Sequence, residues 1–273
     1  MTLNLKDFLQ EDIGVEDVTT NAVVSENHRS RAKIIAKADG IVAGHQFAAQ
    51  IFQLLDKDIH YSELKKDGEK VRVGDTLALI EGMTRAILSG ERVALNILQR
   101  LSGIATLTAG FVESVGGAGT RILDTRKTTP GLRKMEKYAV RMGGGYNHRE
   151  NLTTMALIKE NHIAAAGSIK EAVAKVRERT NVAIEVEVKN MTELQEALEL
   201  HVDRIMLDNW DLESTGKAVA FVNKKVPLEA SGNMTIERVH EVAKTGVDFI
   251  SVGALTHSFP VLDISLLYEE AQQ

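Results

Sequence analysis

The 273-residue chain contains no cysteine. That excludes disulfides, thiolate metal sites and cysteine nucleophiles, and it fits a reducing compartment. No apolar stretch approaches the ~20 residues that a membrane-spanning helix needs. The first residues, MTLNLKDFLQEDIGVEDVTT, carry charges throughout where a signal peptide would place an apolar centre. A cytoplasmic protein without a membrane partner is the expectation. GGGYNHR lacks the G-K-[ST] ending of a Walker loop, and no Rossmann glycine fingerprint is evident. The formal charge of −5 argues against a nucleic-acid partner.

The charge that is present is unevenly placed. Between Arg121 and His162 nine Lys or Arg face four acids, so this stretch is +5 and the rest of the chain −10. Its centre, ILDTRKTTPGLRKMEKYAVRMGGGYNHRENL, also holds a triple glycine and Pro130, one of three prolines. A local basic focus in an acidic body suits a small polyanion better than a long one.

The N-terminal part mixes patterns. Residues 3–10 read as a short helix, and GHQFAAQIFQLL has helical spacing. SRAKIIAKADGIVAG alternates and turns at Asp39-Gly40, predicting a hairpin. DGEKVRVGDTLALIEGM reads as strand–turn–strand. It is similar to a biotinyl or lipoyl carrier hairpin, but Thr84 follows Met83 where the modified lysine would stand. A long helix is expected over 89–115 with Ser89 as its N-cap; Gly103 within it suggests a close packing contact. Beyond GGAGT, six apolar runs end in polar or glycine residues: RILDTRK, MALIKENH, AIEVEVK, RIMLDN, PLEASGN and FISVGA. Helical patterns lie between most of them, which predicts βα units around a parallel sheet, curled into a barrel.

Barrel sites form at the C-terminal ends of strands. Those ends carry Thr125, Arg126 and Lys127; Lys159 and Glu160; Glu185 and Glu187; Asp208 and Asn209; Ser231 and Gly232; Ser251 and Gly253. Arg offers a planar fork to carboxylate or phosphate, and Lys a compact charge. His148 and Arg149 follow the glycines after Tyr146 and Asn147. Glu187 and Asp208 suit Mg²⁺, ribose hydroxyls or a cationic transition state, and ion pairs with the lysines are the alternative. Arg133, Lys134 and Lys137 read as solvated or interface charge.

The basic segment, with EDIGVEDVTT, GERVALNILQRLSGIAT, ALIKENHI, EVEVKN, IMLDN, LEASGN and SVGALTHS, resembles the quinolinate phosphoribosyltransferase family along the whole chain. Glu16 and Tyr146 depart from its usual Gly and His. The resemblance implies an N-terminal α/β sandwich domain over 1–115 and a partial, seven-stranded TIM-like α/β barrel over 116–263, with a final helix near 264–273 that could return to the first domain. It implies conversion of quinolinate and phosphoribosyl pyrophosphate, with Mg²⁺, to nicotinate mononucleotide, pyrophosphate and carbon dioxide. It further implies a homodimer, or a higher oligomer, with shared active sites. Arg92, lent across that interface, with Arg126, His148, Arg149 and Lys159, would surround quinolinate. Thr125 would join the substrate contacts. Lys127, Glu187 and Asp208 would be catalytic, the two acids facing ribose and metal. Ser231, Gly232, Asn233 and Gly253 would cradle the 5′-phosphate. A relative with another base substrate and a non-catalytic phosphate sensor are the rival readings; the full set of cations and carboxylates at the strand ends argues against both.

Overall fold

The computed structural model describes residues 4–269. They divide into two compact units: residues 4–109, 129–144 and 259–269 in one, and residues 110–128 and 145–258 in the other.

The first unit contains α1 (Leu5–Ile13), α2 (Val18–Val23), β1 (Arg29–Ala36), β2 (Gly40–Ile41), α3 (His45–Leu55), β3 (His60–Glu63), β4 (Lys70–Val71), β5 (Thr76–Met83) and most of α4 (Thr84–Ser114). Its antiparallel sheet has the order β12-β1-β5-β3, where β12 is Ile264–Glu269. Alternation along β1 buries Ser30, Ala32, Ile34 and Ala36 and turns the intervening residues outward, the pattern of a sheet wet on one face.

Three local expectations change. The Asp39-Gly40 turn does not close a hairpin: β1 pairs with β5 and β12, while β2 pairs with β4. A period of two marks a strand but does not name its partner. The final segment is a strand rather than a helix: Ile264 pairs with Ala36 and Glu269 with Arg31, and Lys33 Nζ meets Glu269 at 2.6 Å. ISLLYE is rich in strand-forming residues, and an open sheet edge gives its backbone groups partners. Residues 270–273 lie outside the described part. Helix α4 starts at Thr84, directly after β5; Ser89 lies inside it and donates to Asp17 Oδ2 at 2.8 Å.

The segment 129–144, expected within the barrel domain, packs in the first unit. Its helix α5 (Arg133–Met142) buries Glu136, whose Oε1 accepts from Arg100 Nη2 at 2.5 Å and Nε at 3.1 Å, while Oε2 accepts the Thr129 N–H. A carboxylate removed from water requires such partners, and the matching guanidinium is on α4. Tyr138 of α5 donates to Asp67 at 2.6 Å. Lys137 is buried rather than solvated.

The second unit is a six-stranded parallel sheet. Its strands are β6 (Arg121–Leu123), β7 (Ala156–Ile158), β8 (Ile184–Val188), β9 (Arg204–Asp208), β10 (Leu228–Ser231) and β11 (Phe249–Ser251). The order is β6-β11-β10-β9-β8-β7. Each of the six apolar runs forms one strand. The expected seventh strand is reduced to one parallel bridge between Leu123 and Tyr146, and no closed barrel forms among the described residues. The intervening helices include α6 (Glu160–Ala166), α7 (Ile169–Arg179), α8 (Met191–Glu199), α9 (Leu212–Val222), α10 (Ile236–Lys244) and the short α11 (Ala254–His257). Ser168, Asn190, Asp211 and Thr235 cap α7 to α10, each side chain accepting a backbone N–H of the first turn. These caps release the chain from each strand end into its helix and so fix where the strand-end residues stand.

Gly103 does mark a close approach: a Cβ there would overlap the Pro260 carbonyl oxygen and lie 2.8 Å from Val261 Cα. Gly110, further along α4, has only Ile236 Cδ1 at 3.8 Å. Gly103→Ala should therefore cost about 1–3 kcal/mol in urea unfolding through overpacking. Gly110→Ala should gain up to about 1 kcal/mol from helix propensity. Equal effects of the two would contradict this packing.

Candidate active site

The C-terminal ends of the parallel strands open into a cavity of about 840 Å³. It lies within the second unit. Thr125, Arg126 and Lys127 reach it from the end of β6, His148 and Arg149 from the loop after the bridge, and Lys159 from the end of β7. Glu187 and Asp208 come from β8 and β9; Ser231, Gly232 and Asn233 from the β10 turn; and Gly253 from the turn after β11. Every residue expected at the site lines this cavity except Arg92, which is exposed on α4 in the first unit.

Two glycines are there because something else fills their side-chain space. A Cβ on Gly253 would lie 3.1 Å from Lys127 Cδ and 3.0 Å from His257 Nε2. The Lys127 carbonyl is held as well, accepting from Thr256 Oγ1 at 2.8 Å. Gly232 has φ +106°, and a Cβ there would overlap Asn209 Oδ1. Asn209 itself is left-handed at φ +59° and donates from Nδ2 to Asp208 Oδ2 at 2.9 Å.

The cations are crowded. Burial, and then the charge of Arg126, hold Arg149 below the ordinary arginine range. Its Nη1 donates to the Met155 carbonyl at 3.1 Å. Lys159 Nζ lies 3.1 Å from Glu187 Oε2, so the ion pair weighed from the sequence is present. Glu187 and Asp208 remain a donor set suited to Mg²⁺, which takes one or two carboxylates and completes its shell with water and phosphate oxygens.

Below this layer the inner face of the sheet is not apolar. Strand alternation brings Glu185 under Glu187, and Glu229 under Ser231. Both glutamates are fully buried. His148 Nε2 lies 3.1 Å from Glu185 Oε2 and 3.5 Å from Glu229 Oε2, and Arg204 Nη1 donates to Glu229 Oε2 at 3.0 Å. Burial opposes a charge on His148, but its contacts with Glu185 and Glu229 outweigh that and carry it up to about 9. Burial and the Glu229 charge push Glu185 up to about 7. Burial also acts to raise Glu229, yet His148, Ser251 and Arg204 hold it below its ordinary value. A doubly protonated imidazole conflicts with the geometry: His148 Nδ1 accepts the Arg149 N–H at 2.7 Å, which requires a lone pair. The ring therefore carries its proton on Nε2.

The same observation decides a second question. The ligand atoms of His148, Glu185 and Glu229 lie within 4.8 Å of one another, the spacing of a metal site. A protonated Nε2 is a donor, not a ligand, so the cluster is an ionic floor and not a metal centre. His148, expected among the substrate contacts, lines the cavity, with Nδ1 on the Arg149 N–H and Nε2 beside Glu185.

Glu229 and Asp124 had escaped the sequence reading. Asp124 is fully buried and accepts the His148 N–H at 2.8 Å and Asn147 Nδ2 at 2.5 Å. For Glu229 the signal was available: in LEAS it alternates onto the same face as Ser231.

The chain matches two family models in succession. One is the N-terminal domain of quinolinate phosphoribosyl transferase over residues 17–102, the other its C-terminal domain over residues 104–267. It is 45% identical to a probable nicotinate-nucleotide pyrophosphorylase [carboxylating] of Synechocystis, over 96% of this chain and 90% of that one. It is also 45% identical to the corresponding protein of Bacillus subtilis, over 96% and 91%. The structure of the nicotinate-nucleotide pyrophosphorylase from Francisella tularensis superposes with a TM-score of 0.93 at 42% identity, covering 97% of this chain and 94% of that one. With both domain models matched in order and full-length relatives at this identity, the chain belongs to the quinolinate phosphoribosyl transferase family.

Proposed function

We propose that the protein transfers the phosphoribosyl group of phosphoribosyl pyrophosphate to quinolinate, giving nicotinate mononucleotide, pyrophosphate and carbon dioxide in de novo NAD biosynthesis. One observation carries this reading in a chain of this family: Arg126, Lys127, Arg149 and Lys159 converge on a single cavity with Glu187, Asp208 and the small turns at Ser231–Asn233 and Gly253. A dicarboxylate and a sugar bearing three phosphate groups need that many cations.

The reaction divides into two parts. Arg126, Arg149 and Lys159 hold the two carboxylates of quinolinate, and the backbone of the 231–233 turn holds the 5′-phosphate. The pyridine nitrogen bonds to C1′ as the bond to pyrophosphate breaks. Positive charge builds on the ribose ring, where Glu187 and Asp208 tolerate it, and negative charge builds on the leaving group, where Lys127 neutralises it. Mg²⁺ held by Glu187 and Asp208 through water or substrate oxygens would neutralise more of the leaving pyrophosphate. The quaternary ring nitrogen then serves as electron sink, so the bond from the ring to the adjacent carboxylate breaks, carbon dioxide departs, and the electron pair left on that ring carbon takes a proton from solvent. No covalent nucleophile is required, and catalysis is positioning and electrostatics. The protein acts in the cytoplasm as a homodimer, with Arg92 reaching the partner's cavity.

Product formation from both substrates with release of carbon dioxide is the direct assay, and its absence would end this reading. Lys127→Ala should lower kcat/KM by roughly 10²-fold or more, the usual loss when a preorganised charge is removed from a developing anion. Near-normal turnover would refute its role. EDTA should abolish activity and added Mg²⁺ restore it. Asp208→Asn should raise the Mg²⁺ concentration needed for half-maximal rate; an unchanged requirement would place the metal elsewhere.

A further inference from the structure

The interior of a parallel barrel is ordinarily packed with branched apolar side chains. Here Glu229 and His148 line the floor of the cavity, with Glu185 and Arg204 packed against them. The mechanism above makes no use of the two glutamates. His148 Nε2, both Glu185 oxygens and Glu229 Oε1 are buried without an aligned hydrogen bond, so the contacts at 3.1 and 3.5 Å are held by charge and proximity. Buried polar atoms in this state are uncommon, and retaining them calls for a reason.

We infer that Glu185, with Glu229, is a positioning residue that fixes Arg149 in the cavity by locking the ring of His148. The inference rests on the proposed reaction, because it assigns Arg149 to the quinolinate carboxylates. The two carboxylates draw Nε2–H of His148 downward, from β8 and β10. That leaves Nδ1 facing the next residue, where it accepts the Arg149 N–H at 2.7 Å. From β6, Asp124 holds the backbone N–H of His148 at 2.8 Å. The backbone entering Arg149 is thus tied from three strands. Its guanidinium, anchored on the Met155 carbonyl, projects into the cavity beside Arg126. Two guanidiniums forced together repel, and a flexible Arg149 would swing away. A rigid floor keeps the repulsive pair in place for an anionic ligand to relieve.

The chemistry makes the test selective. Glu185→Leu removes the charge but keeps the volume, and replacing buried ionic groups by apolar ones commonly leaves stability unchanged or raised. The expected result is an unchanged or higher Tm with KM for quinolinate raised tenfold or more, and KM for phosphoribosyl pyrophosphate within twofold of the parent. Glu185→Gln keeps an acceptor for Nε2–H and should return KM for quinolinate to within about threefold. An equal rise in both KM values, or none in either, would overturn the inference. A second measurement needs neither turnover nor variant stability. In protein labelled with ¹⁵N-histidine, the His148 signals, assigned by their loss in His148→Gln, should show protonated Nε2 and unprotonated Nδ1 at pH 7. Protons on both nitrogens would overturn it. A parent protein that forms no product would refute the reaction instead, while the imidazole spectrum would still judge the floor.

Discussion

The contact of His148 with two buried carboxylates is the constraint on which the cavity depends. An uncompensated charge in a protein interior is costly, so each member of the cluster fixes the position of the others. Arg204 holds Glu229, the glutamates hold the imidazole, and the imidazole receives the Arg149 N–H. An apolar interior could pack as densely, but it would place no directional demand on the loop above it.

The rim is set by a different means, close backbone approach. Gly253 leaves the space that the Lys127 stem occupies, and Gly232 the space taken by Asn209. These glycines let charged side chains and turns stand nearer one another than side chains of their own would permit. Ion pairing below and backbone proximity above together give a cavity whose cations are close enough to repel yet do not disperse.

Much of the architecture was legible because its signals are local. Six apolar runs became six strands, and the helical patterns between them became helices. What the sequence did not disclose was pairing and assignment to a unit. The residues around Asp39-Gly40 alternate like a hairpin, yet β1 finds its partners 40 or more residues away. The resemblance implies a helix near 264–273, whereas the free edge of β1 takes residues 264–269 as a strand. The basic stretch divides similarly: Glu136 is drawn to Arg100, so the helix between the two halves of the site packs in the first unit.

The sequence alone determined which residue types stand at the strand ends, and hence a cavity rich in cations with two carboxylates, because strand ends are written in local alternation and caps. Only the tertiary structure decided what those side chains face. His148 follows three glycines in the chain and gives no sign of its partners. Its nitrogens are committed to Glu185, Glu229 and the Arg149 N–H because β8 and β10, more than forty residues apart in sequence, meet side by side with β9 and turn both glutamates inward. Charge becomes geometry when distant groups share one dry interior, and linear spacing does not encode that proximity.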